Sequence, residues 1–259
     1  MDLELVGKTA IVCASSKGLG RGCAMSLARE GANVLLNGRT AESLEKAVAE
    51  VRASARGQVS SVCCDITTAH GRSQVLASCP EPDILVNNAG GPPPGDFREW
   101  GTEAWSAALN ANMLTPIELI RATVDGMMSR GFGRIVNITS SAVKAPISSL
   151  GLSNGARAGL TGFVAGVARQ VAGSGVTINN ILPGAFDTER LRSGLRFAAE
   201  RSDQPYHELF ETRKAGIPVG RYGDPAEFGE LCAYLCSRQA AYIVGQNFVI
   251  DGGAYPGTL

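Results

Sequence analysis

A chain of 259 residues is long enough to bury a sizeable core, and its 44% hydrophobic content is that of an ordinary globular protein. Lys plus Arg and Asp plus Glu both total 24, so the formal net charge is zero, which argues against a nucleic-acid or membrane partner. Seven cysteines with no Cys-x-x-Cys pair, and only His70 and His207, argue against a zinc site and for reduced thiols packed in the core.

The N-terminal Met-Asp-Leu-Glu-Leu lacks the basic-then-apolar order of a signal peptide. No apolar run reaches the roughly 20 residues that span a bilayer. A cytoplasmic protein is the expectation. Along the chain, short apolar runs alternate with stretches of helical period. Thr9 to Ala14 reads as a first strand, followed by a helix from Gly18 to about Glu30. Asn33 to Asn37 is a second strand, and Ala41 to Ala55 a helix carrying an expected Glu42–Lys46 pair. Further strands are expected at Val59–Cys63, Asp83–Asn87, Gly133–Thr139, Val176–Leu182 and Asn247–Ile250.

This order predicts a doubly wound parallel sheet of seven strands, a Rossmann fold with helices on both faces, in one domain over 1–259. Two segments interrupt the alternation. Gly90-Gly91-Pro92-Pro93-Pro94-Gly95 cannot be helix or central strand, because its prolines remove successive backbone donors. The stretch from about Asp187 to Ile217 is charged, helix-compatible and weakly periodic. Both follow strands and so belong to the carboxyl edge of the sheet, where open α/β proteins bind ligands.

The turn Ala14-Ser15-Ser16-Lys17-Gly18-Leu19-Gly20 follows the first strand and opens a helix. Gly18 and Gly20 allow a tight turn and close approach of a pyrophosphate to the free N–H groups of the helix N-terminus. At the end of the second strand stands Asn37-Gly38-Arg39. An acid there would hold a ribose diol; a cation without an acid favours a 2′-phosphate, hence NADP(H), with NAD(H) the alternative. Lys17 is a second candidate cation.

These motifs, with Asp65, Asn87-Asn88-Ala89-Gly90, Asn112, Gly133 to Ser140, Pro183-Gly184-Ala185-Phe186-Asp187-Thr188, Tyr242 to Gln246 and Asp251-Gly252-Gly253, resemble those of the short-chain dehydrogenase/reductase family over essentially the whole chain. Within that family the likeness is greatest to 3-oxoacyl-[acyl carrier protein] reductases. The resemblance implies cofactor contacts from Ser15, Ser16, Lys17, Gly18, Leu19, Gly20, Arg39, Cys64, Asp65, Ile66, Asn88, Ala89, Gly90, Ile138, Arg157, Pro183, Gly184, Phe186 and Thr188. It also implies a small carbonyl or alcohol substrate, with an acyl thioester among the candidates. A homotetramer is implied as well, with interfaces around 102–129, 151–173 and the C-terminal segment.

The family's Tyr-x-x-x-Lys signature lies thirteen residues after its catalytic serine. Thirteen residues beyond Ser140 stands Ser153, and four further on Arg157. No tyrosine occurs between Gly133 and Gln204, so a shifted register does not restore the motif. Ala14 also stands where the family's turn usually begins with glycine. A serine hydroxyl is a weaker acid than a phenol, and an arginine stays protonated, so Arg157 is suited to stabilising an oxyanion and unsuited to relaying a proton. The first reading is a working NADP(H) oxidoreductase that interconverts a carbonyl and an alcohol using Ser140, Ser153, Arg157 and Asn112, with Ser140 or Ser141 on the substrate oxygen. The second is a dinucleotide-binding protein with little or no activity and a regulatory or partner role. A protein without a cofactor is the third, and it leaves Gly18, Gly20 and Arg39 without a purpose.

Overall fold

The computed structural model describes residues 1–202 and 204–258. Strands rich in Val, Ile and Leu form the centre: β1 (Thr9–Val12), β2 (Asn33–Gly38), β3 (Val59–Cys63), β4 (Ile84–Asn87), β5 (Gly133–Ile138), β6 (Val176–Pro183) and β7 (Asn247–Ile250). All neighbours pair in parallel, in the order β3-β2-β1-β4-β5-β6-β7. Most of these strands read as unbroken buried runs, as a sheet covered on both faces requires.

The helices are α1 (Gly18–Arg29), α2 (Ala41–Arg52), α3 (Ala69–Ser78), α4 (Thr102–Leu109), α5 (Thr115–Ser129), α6 (Gly151–Val171), α7 (Glu189–Glu200), α8 (Tyr206–Ala215) and α9 (Pro225–Cys236). One core lies between the sheet and α1, α2 and α9, around Leu27, Leu36 and Phe228. The other lies between the opposite face and α5 and α6, around Ile11, Ile135 and Leu160. The expected seven-stranded Rossmann sheet is therefore the observed one. None of the described helices is long and apolar enough to cross a membrane.

Differences from the sequence reading have local causes. The first strand stops at Val12, because Ala14 takes a left-handed φ of 45° and turns the chain. The second helix stops at Arg52, whose own guanidinium reaches the Val59 carbonyl at 2.8 Å and draws the chain into β3. Glu42 and Lys46 do not pair; α2 is instead tied to α1 by Arg21 and Glu50 at 2.6 Å. The charged stretch 187–217 holds α7 and α8, with Thr188 capping α7 by accepting from the Leu191 N–H. Asp203 within it lies outside the described residues.

Candidate active site

Strand order reverses between β1 and β4, so their carboxyl ends open a crevice at the usual ligand position of an open α/β sheet. The Gly18 turn occupies the β1 side of it, with Gly18 at φ +59°. Buried side chains hold this turn from beneath. Ala14 donates its N–H to Asn37 Oδ1 at 3.3 Å, and its carbonyl accepts from Asn88 Nδ2 at 3.1 Å. A Cβ on Gly20 would come within 2.5 Å of that same carbonyl. The Ser15 hydroxyl donates to the Val12 carbonyl and accepts from the Asn37 N–H, and its own N–H donates to the Asn37 carbonyl at 2.8 Å, so this buried residue braces the turn. Ser16 packs against Gly38, while Lys17 and Leu19 flank Gly18 at the start of α1.

Asn37 is a residue whose role the sequence does not display. Its Nδ2 donates to the carbonyls of Val62 and Cys64, so one buried amide joins the ends of β1, β2 and β3. A carboxylate in its place would face those carbonyls. Arg39, next but one, is exposed, and neither it nor Lys17 enters an ion pair among the described residues. Asp65 accepts from the N–H and hydroxyl of Thr67. Burial pushes its carboxyl up, but these hydrogen bonds and the nearby Arg39 charge outweigh that and leave it below the ordinary range. Ile66 is buried beneath it.

On the β4 side lies the loop Asn88-Ala89-Gly90, where a Cβ on Gly90 would meet nothing within 4 Å. Asn112 stands in a π-helical turn, 110–114, between α4 and α5, a distortion common at functional sites. Its Nδ2 lies 3.4 Å from the Gly90 carbonyl, and its buried Oδ1 has no donor among the described residues. That orphaned acceptor, the glycine turn and the unpaired Arg39 together fit a nicotinamide dinucleotide with a further polar group beside it.

Ser153 and Arg157 share the face of α6 turned to β5 and are 6% and 8% exposed. Arg157 Nε donates to Ser153 Oγ at 3.2 Å, and Nη1 donates to the Ile138 carbonyl at 2.6 Å. Burial, with a smaller contribution from the Arg190 charge, pushes Arg157 down to about 10. It is still a cation at neutral pH. Ser140 begins the turn after β5, its Oγ accepting from the Ala142 N–H and its hydroxyl donating to no acceptor among the described residues.

The opposite face of α6 explains the tight setting of this pair. Cβ atoms on Gly151 and Gly155 would lie 2.4 and 2.9 Å from the Cζ3 atoms of Trp100 and Trp105. Small residues at this spacing let the two indoles, edge to face at 6.4 Å, press α6 toward the sheet. Beyond β6, Gly184 packs on Asp251. Phe186 turns its ring onto Phe228, and Thr188 lies over the Gly18 turn. Two further groups lie outside the sequence-based set: Arg190, bound to the Gly91 and Pro92 carbonyls, and Tyr255, whose ring lies 5.7 Å from Lys144 Nζ.

The sheet and this crevice define a dinucleotide-binding oxidoreductase fold. A family model described as Enoyl-(Acyl carrier protein) reductase matches residues 13–255, and the chain belongs to that family, one of the short-chain dehydrogenase/reductases. It is 32% identical to the 3-oxoacyl-[acyl-carrier-protein] reductase FabG of Vibrio cholerae, over 98% of this chain and 99% of that protein. L-Sorbose reductase of Gluconobacter frateurii, solved with NADPH and L-sorbose, superposes with a TM-score of 0.91 at 28% identity, covering 98% of each chain. YwfH, an NADPH-dependent reductase involved in bacilysin biosynthesis, gives 0.90 at 26% identity, over 97% of this chain and 99% of its own.

Proposed function

We propose that the protein is an NADP(H)-dependent reductase of a small carbonyl compound in which Ser153 and Arg157 do the work that a tyrosine and a lysine do in the family pattern. The observation that carries this is the 3.2 Å hydrogen bond from Arg157 Nε to Ser153 Oγ. A lone pair of the serine is occupied by a cationic donor, so its own O–H is free to point at a substrate oxygen. The preference for NADP(H) rests on Arg39, and the NADPH-using structural neighbours agree with it.

When bound, the cofactor supplies the hydride. The chain's residues then manage the charge left on oxygen. Ser153 and Ser140 each present a hydroxyl hydrogen to it, and the fixed guanidinium of Arg157 stabilises it in a site that excludes most water. Arg157 keeps its proton near neutral pH, so the proton that ends on the product oxygen comes from solvent through Ser153. Asn112 Oδ1 is the buried acceptor available to order that path. A path of this kind is slower than one with a positioned phenol, since loss of a general acid typically costs ~10²–10⁴ in rate.

NADPH oxidation in the presence of 3-oxoacyl thioesters, aldoses and simple ketones tests the reading. Turnover that falls in Ser153→Ala and Arg157→Ala and persists in Tyr255→Phe supports it. Turnover abolished by Tyr255→Phe alone would move the proton donor to the Lys144–Tyr255 pair. If no substrate is turned over while NADPH binds, the protein is a nucleotide-binding relative with a regulatory role.

A further inference from the structure

The helix that carries Ser153 and Arg157 rests on large side chains from the helical run before it. Gly151, Gly155 and Gly159, each four residues apart, share one face of α6. Each meets a bulky group. A Cβ on Gly151 would strike the Trp100 ring, one on Gly155 would lie 2.9 Å from Trp105 Cζ3, and one on Gly159 would lie 2.8 Å from Met113 Sδ. Glycine inside a helix costs stability relative to alanine, so three in register are explained by what they admit. They let these groups rest on the helix backbone itself, with no side chain of α6 between to absorb a shift.

Gly155 is the centre of this contact. It stands two residues after Ser153 and two before Arg157, about 200° round the helix from each, so Trp105 presses on α6 directly behind the pair. Trp105 lies on α4 and is backed edge to face by Trp100 at 6.4 Å. On the front of α6, Arg157 reaches Ser153 Oγ and the Ile138 carbonyl at once, at 3.2 and 2.6 Å. The second contact crosses from helix to sheet, so its length follows the distance of α6 from β5.

We propose that Trp105 is a positioning residue for the Ser153–Arg157 pair: its indole, braced by Trp100, sets how far α6 stands from β5 and so where the guanidinium and the serine hydroxyl point. The consequence for rate rests on the reductase reading of the site; the consequence for Arg157 does not need turnover. Loss of the indole leaves a gap into which α6 relaxes, and a side chain at Gly155 pushes it the other way. In either case Arg157 no longer makes both contacts at these lengths.

Full-length wild type, Trp105→Leu, Gly155→Ala and the double variant are compared. Leucine ends two carbons short of the Cζ3 position, and the alanine methyl refills part of that space. The Arg157 Nε–H proton, followed by NMR and assigned by its loss in Arg157→Lys, reports the guanidinium without substrate. Single-turnover oxidation of bound NADPH reports the chemistry, and thermal unfolding shows which variants are folded at the assay temperature. Each single variant should exchange the Nε proton about 10-fold faster, as expected where one hydrogen bond is weakened. Each should also slow turnover by about 10–100-fold, the scale of a ~1 Å misplacement. The double variant should recover most of both losses, and Trp105→Phe, a smaller deletion, should show the same changes if Trp105→Leu does not fold. Wild-type proton exchange in a folded Trp105 variant would overturn the proposal, because a merely structural tryptophan lowers the unfolding temperature and leaves Arg157 alone. So would a double variant no better than the worse single one. Faster proton exchange in the single variants, recovered in the double, supports the positioning role even if no carbonyl is turned over, in which case only the reductase reading fails.

Discussion

Arg157 spans from Ser153, one turn earlier on α6, to the Ile138 carbonyl at the end of β5, with contacts of 3.2 and 2.6 Å. The cation is thereby fixed between helix and sheet, and the serine hydroxyl is oriented by it. A buried guanidinium without a carboxylate partner is costly to keep, and in this position the cost is tied to the chemistry.

The pH dependence of activity and stability should run in opposite directions around Arg157. Its folded-state pKa, about 10, lies below the unfolded value. The burial penalty is present at neutral pH and is relieved as the pH rises through about 10, because the folded chain then sheds a proton that the unfolded chain keeps. Over the same interval the oxyanion loses its stabilising charge, so kcat/KM falls. Urea unfolding and kinetics of the wild type against Arg157→Met, which cannot titrate, check both signs.

Arg39→Asp should weaken NADPH binding by roughly 10–100-fold, the equivalent of one lost hydrogen bond to a charged group, and leave NADH little changed. Fluorescence titration with the two cofactors measures the ratio. An equal loss for both would remove Arg39 from the 2′-phosphate.

A row of asparagines crosses the sheet at matched register. Asn87 donates to Asn137, Asn137 to Asn180 and Asn180 to Asn247, at 2.8, 3.0 and 2.8 Å. Asn137→Ala leaves a donor and an acceptor unpaired in the interior, and should cost about 2–4 kcal/mol in urea unfolding. A loss below about 0.5 kcal/mol would show that the row is dispensable.

Two glycines of α6 should respond with opposite sign. A Cβ on Gly151 would meet the Trp100 ring at 2.4 Å, so Gly151→Ala should destabilise by roughly 1–3 kcal/mol and shift tryptophan emission. Gly162 is exposed, with nothing within 4 Å of such a Cβ, so Gly162→Ala should stabilise by about 0.5–1 kcal/mol. Thermal unfolding of the pair reads both.

The parts of this molecule legible in the sequence are those written in local pattern. Buried strands, the Gly18 turn and the Ser153–Arg157 spacing each lie within a few consecutive residues, and the strand boundaries came within two. The asparagine row was not legible, because Asn87, Asn137, Asn180 and Asn247 meet only through sheet register. In the sequence Asn37 signals only the lack of an acid, although its amide ties three strand ends together. Arg190 is one of several cations in the charged 187–217 stretch, and its bonds to the Gly91 and Pro92 carbonyls are set by the fold. What separates it is the direction of its side chain, which composition does not carry.

The role of the Ser153–Arg157 pair is tested most sharply by single-turnover oxidation of bound NADPH by a carbonyl substrate, compared among wild type, Ser153→Ala, Arg157→Ala and Arg157→Lys. A rate loss of about 10²–10³ is expected in Arg157→Ala, a smaller loss in Ser153→Ala and partial recovery in Arg157→Lys, with NADPH affinity nearly unchanged by Ser153→Ala. Wild-type rates in both alanine variants would contradict it.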